Sequence, residues 1–234
     1  MQPPSYDELW RVTWGDMQRF GPVHRHILED MVRTVTSLDI TSVLDVGCGS
    51  GENLAALGGL ARYELAGIDV SEEALKLASR RVPQARLRQL DVQREALLER
   101  FDLVMSIQVV EHLQDDVAAL RNISKMADKY VFISTIQGRM RPSEVSIGHV
   151  RNYSEAELRS KLESSGLQAL WIHGWGFPFY SPIYRSLAEL VPGGPPAGSL
   201  SPLGKIAARA LYQLYRVNWP GKGDVITALG RPAV

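Results

Sequence analysis

Glycine residues at close spacing follow a short apolar segment near residue 45. Residues 43–54 read VLDVGCGSGENL, in which β-branched and apolar residues lead into a turn that contains Gly47, Gly49 and Gly51. Glycine has no Cβ, so the backbone N–H groups of such a turn can approach a ligand closely. The pattern predicts a strand, a glycine loop and a helix, in that order.

The spacing of these glycines bears on the kind of ligand. The dinucleotide-binding pattern G-x-G-x-x-G needs a glycine at position 52, where this chain has Glu52. A carboxylate at the start of the helix disfavours a pyrophosphate, so the loop better suits a ligand without phosphate. A dinucleotide-dependent oxidoreductase is a weaker alternative, and a tight strand–helix turn without any ligand is the plainest one.

Two further carboxylates occur where strands are predicted to end. Asp69 lies at the end of the segment 64–70 and can accept hydrogen bonds from ribose hydroxyls. Asp91 follows the segment 85–90 and can accept from an exocyclic amine such as that of adenine. Ligands of open α/β sheets bind at the carboxyl ends of the strands, so the three signals together predict a nucleoside site at one edge of a sheet.

The hydrophobic periodicity predicts the elements that hold these residues. Residues 9–20 and 27–38 have apolar side chains at helical spacing, and Gly21-Pro22 separates them. From residue 42 onward short apolar segments alternate with amphipathic ones, which indicates a parallel sheet with helices on both faces. Seven strands are predicted, over residues 42–46, 64–70, 85–90, 101–109, 130–136, 167–173 and 224–230. Ser71 and Ser154 have the sequence context of helix N-caps.

The predicted domain organisation is one α/β core with two helical additions. Residues 1–40 form an N-terminal helical cover, residues 41–176 the core, residues 177–223 a helical lid inserted before the last strand, and residues 224–234 that strand. Within the insert, residues 191–202 read VPGGPPAGSLSP and are predicted to be a linker, with a hinge over 192–196, because Pro and Gly disfavour both helix and strand.

The composition excludes several classes of protein. With 45% apolar and 22% charged residues, the 234-residue chain is folded rather than disordered. The 26 basic residues balance the 26 acidic ones, which argues against electrostatic capture of nucleic acid as the main function. The single cysteine, Cys48, excludes a disulfide scaffold. Neither a transmembrane segment nor a signal peptide is predicted, so we expect a cytoplasmic protein.

Taken together, these motifs resemble those of the class I S-adenosylmethionine-dependent methyltransferases. Residues 45–51 match the family's first motif, D-x-G-x-G-x-G, and Asp69 and Asp91 match its acidic residues near the ribose and the adenine. Residues 101–113, FDLVMSIQVVEHL, resemble its fourth-strand motif. Residues 149–154, HVRNYS, resemble the small-molecule subgroup that includes methyltransferase type 11 domains and the ubiquinone-biosynthesis enzymes. The resemblance covers residues 40–175 and the last strand.

The resemblance implies a Rossmann-like, doubly wound α/β fold and a methyl donor. Its seven-stranded sheet is mostly parallel, with an antiparallel last strand between strands five and six. The donor is S-adenosylmethionine, which becomes S-adenosylhomocysteine. Asp45 is expected to orient the loop and to contact the ammonium end, unless it only caps loop amides. The implied cosubstrate-binding residues are Asp45, Gly47, Cys48, Gly49, Gly51, Asp69, Val70, Asp91, Val92, Ser106 and Gln108, with Trp14 and Arg25 from the N-terminal cover. Arg25 is expected at the methionine carboxylate.

The reacting end has fewer candidates. Methyl transfer needs a base only if the acceptor must lose a proton, and positioning otherwise supplies most of the rate. His112 and His149 are the candidate catalytic residues, each with the alternative of a structural histidine bonded to a loop or helix. Tyr153 either closes over the sulfonium or packs at the start of the next helix. No His, Cys, Asp or Glu residues show metal-ligand spacing, so no metal is expected.

The insert, residues 177–223, is placed over the acceptor by the resemblance. It is rich in aromatic residues, which suits a hydrophobic or ring-bearing acceptor, and Phe179 and Tyr184 are expected to contact it. Basic residues beside its apolar stripes leave open a peripheral contact with a membrane surface, against the plainer alternative of a helix packed on its own domain.

The expected function is therefore methylation of a small molecule. The acceptor would be a natural-product intermediate, a glycan sugar, or a lipid- or quinone-type precursor, and the protein would act as a monomer or a homodimer. A nucleic-acid or protein methyltransferase is disfavoured by the zero net charge, and residues 106–109, SIQV, replace the N/D-P-P-F/Y-type motif of many nucleic-acid enzymes. A non-catalytic binding module is disfavoured by the intact glycine loop with Asp69 and Asp91.

Overall fold

A mixed β-sheet organises the computed structural model, which describes residue 7 and residues 19–60, 62–189 and 200–233. Seven strands have the order β3-β2-β1-β4-β5-β7-β6. Their bounds are β1 (Ser42–Val46), β2 (Glu64–Asp69), β3 (Arg86–Gln89), β4 (Phe101–Ile107), β5 (Ala127–Ile136), β6 (Leu167–Trp175) and β7 (Val225–Pro232). Strands β1 to β5 pair in parallel, and β7 runs antiparallel between β5 and β6. The predicted fold is confirmed.

The central strands are buried on both faces because helices cover both. In β1 and β4, Leu44 and Val104 belong to one apolar cluster, whereas Val43 and Leu103 belong to another on the opposite face. All four side chains are fully buried. Continuous apolar residues are what a doubly covered parallel strand requires, and each such side chain contributes roughly 1.5–3 kcal/mol of transfer free energy.

The bounds of the helices are α1 (Pro22–Ser37), α2 (Glu52–Gly58), α3 (Glu72–Arg81), α4 (Asp116–Met126), α5 (Pro142–Ser146), α6 (Glu155–Ser164), α7 (Arg185–Ala188) and α8 (Pro202–Tyr215), with a 3₁₀ turn over Val110–His112 and a π-helical turn over Phe179–Tyr184. Helix α1 begins at Pro22, before the predicted segment 27–38, and ends next to its predicted end. The two predicted N-caps are confirmed: Ser71 Oγ accepts from the Ala74 amide and Ser154 Oγ from the Glu157 amide, both at 3.1 Å.

Strands β2, β3 and β4 are shorter than predicted, and the reason for β4 bears on the site. Strand β4 ends at Ile107 rather than at residue 109, because Gln108 has a φ of 57° that no strand residue adopts. The Gln108 amide still donates to Ser134 O of β5 at 2.8 Å. The chain therefore turns at the carboxyl edge of the sheet and enters the 3₁₀ turn that holds Glu111 and His112.

Part of the predicted N-terminal cover, residues 1–6 and 8–18 with Trp14 among them, lies outside the described residues. Helix α1 is described, and Met31 and Val35 bury its inner face in the same cluster as Val43. Asp7 contacts the N-cap of α3, where Asp7 Oδ1 accepts from Ser71 Oγ at 2.5 Å. Asp7 therefore lies close to the segment that follows β2.

The insert packs against the same edge. Trp175 and Tyr180 contact a small apolar cluster that joins Ile27 of α1, Ile136 at the end of β5 and Val225 at the start of β7. Helix α8 packs along α1. The predicted hinge at 192–196 lies outside the described residues, and the role of the insert as a lid stays a prediction. Within the described ranges, no helix is both long and apolar enough to cross a membrane.

Candidate functional site

The glycine loop connects β1 to α2 at the carboxyl edge of the sheet. Gly47, Gly49 and Gly51 all have positive φ, at 72°, 52° and 80°. A Cβ on Gly47 would lie 2.4 Å from Cγ2 of Val109, so both the backbone conformation and the neighbouring side chain require glycine there. The amides of Gly47 and Cys48 donate to Ile68 O at 2.8 and 3.0 Å. Strand β2 thereby sets the shape of the loop.

Cys48 contributes packing to this loop rather than a reactive thiol. Its side chain is buried, and Sγ lies 2.9 Å from where a Cβ on Gly67 would be. Burial raises the pKa of the Cys48 thiol well above its usual value. Deprotonation of the thiol is therefore disfavoured.

Asp69 fixes the loop as well as ending β2. Its Oδ2 accepts from the Gly49 amide at 2.8 Å, and its Oδ1 accepts from the Ser71 amide at 2.9 Å. Burial raises the pKa of Asp69, and these two hydrogen bonds oppose the rise. Each carboxylate oxygen has a second lone pair for a ligand hydroxyl. The loop-fixing role was not predicted from the sequence, since it depends on the approach of β2 to the glycine loop.

Asp45 lies fully buried beneath the loop. Its Oδ2 accepts from Asn53 Nδ2 at 3.3 Å, while Oδ1 has no hydrogen-bond partner in the part of the chain that the structure describes. Burial raises the pKa of Asp45 to about 8. An unpartnered buried carboxylate oxygen is costly unless a donor reaches it from outside the chain. A cationic ammonium group fits this requirement.

Further unpartnered polar atoms line the same edge. Ser106 Oγ, Ser134 Oγ and Gln108 Nε2 are buried and have no hydrogen-bond partner among the described residues. Ser106 and Ser134 belong to the neighbouring strands β4 and β5. A polar ligand with several donors and acceptors would satisfy such a set, as the implied cosubstrate does with its adenine, ribose and amino-acid ends.

Asp91 lies next to Asp69 at this edge, because the Leu90 amide donates to Asp69 O at 3.0 Å. Its Oδ1 accepts from the Gln93 amide at 3.0 Å, and its Oδ2 lies 3.2 Å from Arg94 Nε. Of the two flanking residues predicted to bind, Val92 is buried and Val70 is exposed.

Glu52 forms an ion pair, which weakens the argument that its charge disfavours a pyrophosphate ligand. Glu52 Oε1 lies 3.0 Å from Arg81 Nη2, and the same guanidinium donates to Ser50 Oγ at 2.6 Å. A compensated carboxylate repels a phosphate less than a free one does. The case against a pyrophosphate ligand therefore rests on the absence of a glycine at position 52 and on the comparisons below.

Arg25 contacts Tyr212, a partner that the sequence did not indicate. Its Cζ lies 3.7 Å from the ring centroid of Tyr212 on α8, a cation–π contact that joins the two helical additions. The His26 ring stacks on the same tyrosine, with ring centroids 4.5 Å apart. A contact between Arg25 and the methionine carboxylate stays a prediction.

The two predicted histidines meet beside β4. The ring centroids of His112 and His149 lie 4.5 Å apart in an edge-on arrangement, and Glu111 is next to them. One potential ligand atom from each of these three residues lies within 4.8 Å of the others. The sequence predicted both histidines separately, but Glu111 was not predicted to belong to the site, and the pairing depends on the fold of the loop after β5.

Burial controls the protonation of this cluster. Burial lowers the pKa of His112 to about 3 and that of His149 to about 4, and it raises the pKa of Glu111 to about 7. Both imidazoles are therefore neutral at neutral pH. A group with a pKa of about 3 or 4 is a weak general base, because its conjugate acid holds the proton poorly.

Tyr153 packs at the start of α6. Its side chain is buried, and its hydroxyl donates to Asp116 Oδ2 at 2.7 Å. Burial raises the pKa of the Tyr153 hydroxyl, and Asp116 raises it further. These contacts tie the start of α6 to α4 and favour the packing alternative, while a contact with the sulfonium stays a prediction.

Three tyrosines of the insert form a connected aromatic group with Trp175 at the end of β6. Ring centroids of Trp175 and Tyr180 lie 5.9 Å apart, those of Tyr180 and Tyr184 6.3 Å, and those of Tyr184 and Tyr215 6.0 Å. Phe179 is half-buried, and its amide donates to Asn218 Oδ1 at 2.9 Å. We call the group of Trp175, Tyr180, Tyr184 and Tyr215 the aromatic wall. Phe179 precedes Tyr180 in the chain and is held by Asn218.

Arg185 fixes this wall to the core, and nothing in the sequence indicated it. The buried guanidinium donates to Asp224 Oδ2 and Glu144 Oε1. Arg141 Nη1 donates to Arg185 O at 2.8 Å. Since Glu144 O also accepts from the His149 amide at 3.0 Å, the insert and the histidine loop are held by one network.

Comparison with known proteins agrees with this geometry. A family model described as a methyltransferase domain matches residues 44–130, which include the glycine loop, Asp69, Asp91 and His112. A ubiquinone biosynthesis O-methyltransferase of Leptothrix cholodnii is 32% identical over 147 residues, which cover 56% of this chain and 61% of the relative. A trans-aconitate 2-methyltransferase of Azoarcus sp. is 29% identical over 168 residues, which cover 69% and 60%. The chain thus spans about three fifths of the length of these curated relatives.

Solved structures share the fold. The N-methyltransferase NodS from Bradyrhizobium japonicum, in complex with S-adenosylhomocysteine, superposes with a TM-score of 0.63 over 97% of each chain at 18% identity. A putative methyltransferase from Bacillus halodurans has a TM-score of 0.61 over 88% of this chain and 99% of that one, at 15% identity. The chain therefore shares the fold of these methyltransferases, and its residues 44–130 are similar to a methyltransferase domain of the class I, S-adenosylmethionine-dependent type.

Proposed function

We propose that this protein transfers a methyl group from S-adenosylmethionine to a small-molecule acceptor. The observation that carries the proposal is Asp45, a buried carboxylate with an unpartnered oxygen beneath a glycine loop that Asp69 holds open. The bound cosubstrate supplies an electrophilic methyl group on a sulfonium, which is a good leaving group. The chain's part is to bind it, to orient the acceptor and to exclude water.

Residues at three strand ends would each bind a different part of the cosubstrate. Asp69 would accept from the ribose hydroxyls with its remaining lone pairs, and Asp91 would accept from the adenine amine. Asp45 would receive the ammonium group, which compensates the buried charge. Support for this division comes from the adjacency of the three carboxylates at one edge of the sheet.

The acceptor would lie between this edge and the aromatic wall of the insert. Trp175 and Tyr180 contact Ile136 at the end of β5, next to the strand that carries Ser106. Phe179 and Tyr184 would then set acceptor selectivity. The names of the two curated relatives, a quinone-pathway and an aconitate methyltransferase, support a small acceptor rather than a macromolecule.

The glycine loop offers a matched test of cosubstrate binding. Gly47 and Gly221 both have positive φ, at 72° and 79°, but only a Cβ on Gly47 would meet a neighbour, whereas Gly221 has no atom within 4 Å. Calorimetric titration with S-adenosylhomocysteine should give one site per chain, at least ~10-fold weaker in Gly47→Ala and unchanged in Gly221→Ala. Thermal unfolding of both variants would show that they are folded.

Two results would contradict the proposal. Saturable binding of a dinucleotide such as NAD, without binding of S-adenosylhomocysteine, would assign the loop to another cofactor. Equal affinity in Gly47→Ala and the wild-type protein would remove the loop from the site.

A further inference from the structure

The cluster of Glu111, His112 and His149 has the composition of a metal site. Glu111 and His112 lie in the 3₁₀ turn after β4, and His149 lies in the loop after α5. Their potential ligand atoms lie within 4.8 Å of one another, and the side chains of Glu111 and His149 are buried. Two imidazoles and one carboxylate are a common ligand set for Zn²⁺ and for other divalent transition metals.

Two atoms of the cluster lack partners. Glu111 Oε1 and His149 Nδ1 are buried and have no hydrogen-bond partner among the residues that the structure describes. A buried acceptor without a donor is unfavourable. A cation bound at the cluster would offset both costs at once.

The surrounding contacts hold the ligands in place. Glu111 Oε2 accepts from Thr135 Oγ1 at 2.8 Å, and Glu111 O accepts from the Val150 amide at 2.9 Å. The second contact ties the backbone next to His149 directly to the 3₁₀ turn. Outer partners of this kind orient metal ligands in known sites.

We propose that Glu111, His112 and His149 bind a divalent transition-metal ion such as Zn²⁺ or Co²⁺. Ligand atoms around a tetrahedral ion lie roughly 3.3 Å apart, given metal–ligand distances of about 2.0–2.1 Å, so small side-chain rotations would close the site. Three protein ligands leave a coordination position open. That position would be available to an acceptor oxygen, a role that rests on the proposed function.

This proposal replaces the expectation that no metal binds. That expectation came from the absence of close ligand spacing in the sequence. The structure supplies the third ligand from a loop beyond β5, where the backbone contact of Val150 with Glu111 brings His149 to its partners.

Metal binding can be tested on the chelator-treated, dialysed protein without any acceptor. Titration with CoCl₂, followed by visible absorption, and calorimetry with ZnCl₂ should each give one ion per chain. His149→Asn and Glu111→Gln should weaken binding at least ~10-fold. His173→Asn is the matched control, because His173 lies on β6 and contacts Asp30 instead. It should bind the ion as the wild-type protein does.

The outcomes separate this proposal from the proposed function. Binding of Co²⁺ that is equal in His149→Asn and the wild-type protein, or no saturable binding at all, would overturn the metal site even if S-adenosylhomocysteine binds. Normal Co²⁺ binding without S-adenosylhomocysteine binding would leave the metal site standing and would overturn the proposed function. Thermal unfolding checks each variant, and His112→Asn replaces Glu111→Gln if the latter does not fold.

Discussion

The Asp69 carboxylate accepts a hydrogen bond from the Gly49 amide at 2.8 Å, so the residue that ends β2 also holds the loop that follows β1. Its other oxygen accepts from Ser71, the N-cap of α3. One side chain thereby sets three features of the site: the end of a strand, the shape of the glycine loop and the start of the next helix. The predictions below begin from this contact.

Replacing Asp69 should weaken cosubstrate binding. Asp69→Ala removes the expected ribose contact and the support of the Gly49 amide, and charge-assisted hydrogen bonds contribute roughly 1.5–3 kcal/mol. We expect S-adenosylhomocysteine affinity to fall ~10-fold to 100-fold, as measured by calorimetry. Asp69→Asn, which keeps one acceptor oxygen, should lose less. Asp128→Ala is the control, because Asp128 pairs with Arg100 instead, with Oδ1 2.7 Å from Nε. Unchanged affinity in Asp69→Ala would refute the ribose assignment.

Asp45 should make the protein less stable as the pH rises. Burial raises the pKa of Asp45 to about 8 in the folded protein, against about 3.9 for an unfolded aspartate. The folded state therefore binds more protons than the unfolded state between these values, and its stability falls from about pH 4 to about pH 8. Asp45→Asn removes this titration.

The corresponding measurement is the thermal unfolding temperature of Asp45→Asn and the wild-type protein at pH 5 and pH 8. The unfolding temperature of Asp45→Asn relative to that of the wild-type protein should be higher at pH 8 than at pH 5. The affinity of the variant for S-adenosylhomocysteine should fall. A difference between the two proteins that is independent of pH would contradict the raised pKa.

The aromatic wall should govern the acceptor and not the cosubstrate. Phe179→Ala and Tyr184→Ala should change kcat/KM for an identified acceptor by roughly 10-fold or more, since pocket contacts differ by about 1–3 kcal/mol between acceptors. Affinity for S-adenosylhomocysteine should stay the same. Leu203→Ala is the control within the insert, because Leu203 is exposed on α8. Equal kcat/KM in all three variants and the wild-type protein would place the acceptor elsewhere.

Tyr153 should matter for stability alone. Tyr153→Phe removes the hydrogen bond to Asp116, which should lower the free energy of unfolding by about 0.5–1.5 kcal/mol in urea denaturation. Tyr63→Phe is a comparison, because the Tyr63 hydroxyl makes only a 3.4 Å contact with Val35 O. Cosubstrate affinity should not change in either variant. A loss of affinity in Tyr153→Phe, with stability kept, would restore Tyr153 to the site.

The local signals in the sequence were enough to predict the elements of the fold, though not the order of the strands. The strands, the glycine loop and the N-caps at Ser71 and Ser154 depend on periodicity, on positive φ and on hydrogen bonds within a few residues. Such features are visible in a single stretch of chain. The position of β7 came from the family resemblance, because strand order is a long-range property that no local pattern specifies.

The arrangement of the reacting end required the tertiary structure. Amino-acid types at positions 111, 112 and 149 were known, but only the path of the loop after β5 brings His149 beside His112. The same holds for Arg185, whose partners Glu144 and Asp224 come from distant segments. Sequence patterns therefore predicted the glycine loop and several candidate site residues, though not Glu111 or Arg185, because backbone preference and hydrophobic periodicity are local. Packing decided which of them meet, because contacts between distant segments depend on how helices and loops close over the sheet.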